Sequence, residues 1–117
     1  MSAPNIVNVA TITGKTSVQL VGTSATSIIT NAAASGVVLK VNTLMVGNVD
    51  ATTAYDLTVD LLRGGVAYRF VPTVSCPAKA TIDVLSKAIY LEEDDSLRLT
   101  ASGASKLEAV ASYEELS

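Results

Sequence analysis

Apolar and polar side chains alternate at every second position in several separate segments, and this alternation constrains the fold more than any other feature. In Tyr55-Asp56-Leu57-Thr58-Val59-Asp60-Leu61 every second residue is apolar and the intervening ones are polar. The pattern returns at Val37, Leu39 and Val41, at Leu97-Arg98-Leu99-Thr100-Ala101, and at Leu107-Glu108-Ala109-Val110-Ala111-Ser112-Tyr113. A period of two sets one side of an extended strand against a core and the other side in water. Val, Ile, Thr, Tyr and Phe are abundant, and branched and aromatic side chains fit a pleated surface.

Turn signals punctuate these runs. Arg63-Gly64-Gly65-Val66 joins two of them through a two-residue loop, a favoured tight hairpin because Gly64 and Gly65 can both take positive φ. The hairpin pairs 54–63 with 66–72, and Pro72 is expected to end its second strand. Other breaks fall at Thr13-Gly14, Gly22-Thr23-Ser24, Ala34-Ser35-Gly36, Gly47 to Thr53, Cys76-Pro77 and Ser102-Gly103. Candidate strands lie at 5–12, 16–21, 26–31, 37–47, 54–63, 66–72, 79–85, 88–92, 95–101 and 106–115, some of which merge or stay unpaired. Thr30-Asn31-Ala32-Ala33-Ala34 has room for one helical turn at most and reads as a loop. The expected fold is all-β: one antiparallel sandwich over 1–117, jelly-roll-like, with about eight or nine short strands.

Composition narrows function. The chain has 117 residues, about one domain, and 49% of them are hydrophobic, which argues against disorder. Its mean hydropathy of +0.42 is high for a domain that must cover itself with polar surface, so neighbours are expected over part of it. Eight Lys and Arg stand against eleven Asp and Glu, with no basic run to track a phosphate backbone. The sequence contains no stretch approaching the ~20 apolar residues that span a bilayer, and its start lacks the basic-then-apolar pattern of a signal peptide. Nucleic acid, membrane and small-molecule substrate are therefore not expected as partners. Histidine is absent, which removes the commonest general base and transition-metal ligand. No Ser or Thr sits in a recognisable nucleophile motif, and no enzyme activity or cofactor is expected. The lone Cys76 reads as a small buried or half-buried thiol.

One stretch invites a chemical interpretation. Glu92-Glu93-Asp94-Asp95 places four carboxylates in a row. A calcium loop needs alternating oxygens and a Gly at its bend, and this run has neither. Catalytic carboxylates need separated environments, whereas four neighbours on an exposed bend would share one. The favoured interpretation is a hairpin turn, with Asp95 accepting from the amides of Ser96 or Leu97 and Glu92 and Glu93 finishing the preceding strand. Arg63 and Arg69, flanking the glycine turn, are expected near Asp56 or Asp60, with an intersubunit contact as the alternative. Tyr113-Glu114-Glu115-Leu116 is expected to be a last strand with a charged tail, or a docking segment for a neighbour through Tyr113.

Three stretches together carry a resemblance: SAPNIVNVATITGKT at 2–16, TNAAASGVVLKVNTLMVGNVD at 30–50, and IYLEEDDSLRLTASGASKLEAVASYEEL at 89–116. They resemble small virion structural proteins of tailed bacteriophages, especially those of marine and cyanobacterial hosts. In members of that kind the acidic stretch looks like YLEEGDSL, which puts Asp94 at a position often held by Gly and open to positive φ. The resemblance implies a β-sandwich used in many copies on the virion, assembled in the host cytoplasm. The leading expectation is a capsid decoration or cement protein, a homotrimer seated on the major capsid protein. A neck, tail or fibre-attachment component, or a receptor- or carbohydrate-binding module, is the alternative.

Overall fold

The computed structural model describes residues 10–117; most of the expected first strand, 5–12, lies outside them. The described residues form nine strands and no helix. These are β1 (Ile12–Val21), β2 (Thr26–Thr30), β3 (Val38–Asn48), β4 (Tyr55–Arg63), β5 (Val66–Cys76), β6 (Thr81–Asp83), β7 (Ile89–Leu91), β8 (Ser96–Ala101) and β9 (Leu107–Leu116).

Two sheets pack face to face. One runs β1-β9-β3-β6, with β7 also paired to β3, and the other runs β2-β8-β4-β5. All pairings are antiparallel. Consecutive strands mostly alternate between sheets, and β6 and β7 share one position, so the order is that of a jelly roll. The expected all-β sandwich is the observed fold.

The alternation explains the core. Leu57 and Val59 of β4, Leu97 and Leu99 of β8, Leu44 and Val46 of β3, and Leu107, Ala109 and Ala111 of β9 are buried together. Removing that apolar area from water, at roughly 25 cal/mol per Å², is the main force holding the sheets together. Gly64 and Gly65 take φ of 60° and 76°, as the two-residue hairpin between β4 and β5 requires.

Three expectations need correction. β1 runs unbroken through Thr13-Gly14, since ten residues pair in register with β9. Strand β5 continues past Pro72 to Cys76. It lies at a sheet edge, where a missing N–H costs no ladder bond, and the register shifts between Leu57 and Val59 absorb the irregularity. The end of the chain is no tail: β9 lies between β1 and β3, with Lys15 and Val41 opposite Tyr113. The loop after Thr30 forms a turn rather than a helix.

Candidate functional site

The four-acid stretch is not a hairpin, because β7 belongs to one sheet and β8 to the other. It is an arch between sheets, and its acids diverge. Asp94 sits at φ 71°, the left-handed conformation expected at that position, and is exposed. Asp95 is only 2% exposed, so the expectation of a shared solvated bend fails there. Its carboxylate accepts from the Glu92 amide at 2.8 Å rather than from Ser96 or Leu97. Arg63 donates to it through both Nε, at 2.9 Å, and Nη2. Burial pushes the Asp95 carboxyl up, but the Arg63 guanidinium and the Glu92 amide outweigh it and hold the group below the usual carboxylate value. Glu92 contacts the same guanidinium at 2.8 Å, and Glu93 accepts from the Gly36 amide at 3.0 Å.

A second buried group locks the arch from the other side. Asn31 is 1% exposed and donates through Nδ2 to the carbonyls of Val37 and Leu91. Its backbone exchanges hydrogen bonds with the arch, accepting from Asp94 N and donating to Asp95 O. The expected loop 30–36 and the expected acidic turn are thus one interlocked structure. Three of the four carboxylates are spent on guanidinium and amides, and among the described residues no group of three or more Cys, Asp or Glu converges as a metal site.

The remaining predicted residues are placed as follows. Arg63 meets Asp95 and Glu92, not Asp56 or Asp60. Asp60 is buried and paired instead with Arg98, at 2.8 Å and 3.3 Å. Arg69 is exposed, shares a groove with Asp60 and Arg98, and forms no ion pair among the described residues. Tyr113 is half-buried and packs against the core. Cys76 is fully buried, with its Sγ near the carbonyls of Val46 and Ala80, and burial pushes its thiol up. At the loop end of the molecule, the amides of Thr52 and Thr53 hold the Asp50 carboxyl down to about 2.

The surface residues that stand out are apolar. Val18 of β1, Val110 of β9 and Met45 of β3 lie side by side across three strands. Their exposures are 74%, 37% and 42%, and Leu20 beside them is 56% exposed. Val18, Leu20, Val110 and Glu108 line a shallow groove of about 340 Å³ on this outer face. Sequence reasoning missed this row, although a signal existed. Leu20-Val21, Leu44-Met45-Val46 and Ala109-Val110-Ala111 break the alternation, making both faces of the sheet apolar.

No protein-family model and no curated protein sequence matches this chain. Among solved structures it is similar to a protein of Bacillus endospore appendages, described as disulfide-linked pili. The match has a TM-score of 0.55 at 10% identity, and covers 92% of this chain and 87% of that one. At such low identity the similarity is one of fold.

Proposed function

We propose that this protein is a structural subunit that works in many copies, by burying its flat faces against neighbours. The observation that carries this reading is the exposed apolar row Val18, Val110, Met45 and Leu20 on one outer face of the sandwich. A clustered apolar patch on a sheet face gains free energy when covered, and it marks a contact surface. Measuring mass in solution across a concentration series tests the reading. Concentration-dependent self-association, weakened by Val18→Ser, is expected; a strict monomer that also fails to bind assembled particles overturns it.

The finer assignment is a virion protein of a tailed bacteriophage. The three stretches at 2–16, 30–50 and 89–116 support it. In the decoration form it is a homotrimer that cements adjoining copies of the major capsid protein; in the neck, tail or fibre-attachment form it is arranged as a ring. A fold shared with a pilus protein favours a repeating structural role in either setting. Copy number and position in intact particles separate these forms: one copy per few capsid subunits supports decoration, and six or twelve at the portal vertex support the neck. The disulfide linkage of the appendage protein is not carried over, since Cys76 is sealed in the core.

A further inference from the structure

The grooves on the two outer faces of the sandwich hold opposite unpaired charges. On the β1-β9-β3 face, Glu108 is exposed beside Val18, Leu20 and Val110, and it makes no ion pair among the described residues. On the β8-β4-β5 face lies a second groove of about 340 Å³, lined by Ala25, Thr58, Asp60, Ala67, Arg69, Arg98 and Thr100. Within it Arg98 is neutralised by Asp60, whereas Arg69 makes no ion pair. Arg63 and Arg98 each grip a buried carboxylate through two nitrogens; Arg69 alone of the three arginines has its guanidinium available.

Resting on the multi-copy reading, we infer that the outer face of the β1-β9-β3 sheet of one copy seats on the outer face of the β8-β4-β5 sheet of the next, with Glu108 against Arg69. Charge complementarity selects this pairing over its rival. Two apolar faces meeting about a two-fold axis would offer Glu108 no unpaired cation, because Lys15 and Lys40 of that sheet already pair with Glu115 and Glu114. Opposite faces give each Glu108 an Arg69 instead, while Ala25, Ala67 and the Thr methyls leave room for Val18 and Leu20. The Arg98–Asp60 pair presents its aliphatic stem to the same apolar row. The molecule's 48 by 26 Å dimensions allow more than the roughly 800 Å² per partner that a stable interface buries. Because the two faces lie on opposite sides of one slab, the contact is heterologous and repeats from copy to copy, producing a linear stack rather than a closed pair.

Charge reversal tests the contact, read by sedimentation velocity and negative-stain microscopy. Glu108→Arg and Arg69→Glu, both at exposed positions, should each weaken association at least tenfold with an unchanged melting temperature. The double reversal should restore it to within about threefold of wild type. Self-association that neither reversal affects, or that the double variant fails to recover, overturns this contact and leaves the multi-copy reading standing. A wild-type protein that stays monomeric and ignores assembled particles overturns both.

Discussion

Asp95 and Arg63 hold the arch to the glycine hairpin, and they do not share the burden equally. Asp95 is 2% exposed, while the Arg63 side chain is 46% exposed. Losing Arg63 leaves a buried carboxylate without its cation; losing Asp95 frees a guanidinium that water and Glu92 can still satisfy. Arg63→Ala should therefore cost about 3 kcal/mol and Asp95→Ala about 2 kcal/mol, with a coupling energy of about 1–2 kcal/mol in a denaturation double-mutant cycle. The pH dependence follows from the same contacts. Asp95 and Asp50 are both depressed from an ordinary value of 3.8, Asp50 to about 2. Their contribution is complete above the unfolded-state value and is lost as pH falls through the folded-state values. Thermal melts should be level from neutral to mildly acidic pH, then fall between about pH 4 and 2, with a shallower fall in Asp95→Ala. Asp94's left-handed conformation was expected through the resemblance alone, which puts it where Gly is common, and Asp tolerates that conformation better than most residues. The partner of Asp95 was not legible in the sequence: Arg63 lies 32 positions away, and nothing local links them.

At the scale of elements, the sandwich treats its edges differently. Along β1, Ser17 donates its hydroxyl to the Ile28 carbonyl at 2.8 Å, and Gln19 donates through Nε2 to the Ser27 carbonyl at 3.0 Å. These side chains bridge β1 in one sheet to β2 in the other and satisfy carbonyls that would otherwise face only water. Gln19 Oε1 is buried there with no hydrogen-bond partner among the described residues. Ser17→Ala and Gln19→Ala should each cost about 1 kcal/mol or less and should speed amide exchange in β2 while leaving β4 unaffected. The opposite edge, β5, is instead blunted by Pro72 and by two register shifts. Strand existence was readable from period-two alternation at 55–61 and 97–101. Strand ends were less so, because Thr13-Gly14 and Pro72 are turn signals that long register pairing overrides.

Across the whole molecule, remote pairing dominates. β1 pairs with β9 from Ile12↔Leu116 through Val21↔Leu107, joining segments almost a chain length apart. Such closures must form before they are rewarded, so refolding should occur in milliseconds to seconds, as stopped-flow fluorescence of the tyrosines would read. Deleting 107–117 should abolish folding rather than trim it, because β9 separates β1 from β3. This centrality was hidden in the sequence. A final amphipathic strand ending in two glutamates looks peripheral until Lys15 and Lys40 are found beside Glu115 and Glu114.

The β1–β9 pairing also brings residue 10 and residue 117 together: the amides of Ala10 and Thr11 both donate to the Ser117 carbonyl, at 2.8 and 3.0 Å. A short peptide joining residue 117 to residue 10, in a variant that begins at residue 10, would close residues 10–117 into a loop without moving a described strand. New openings could then be cut at the glycine hairpin, which makes the molecule a natural cassette for displaying cargo from a corner of the experimenter's choosing.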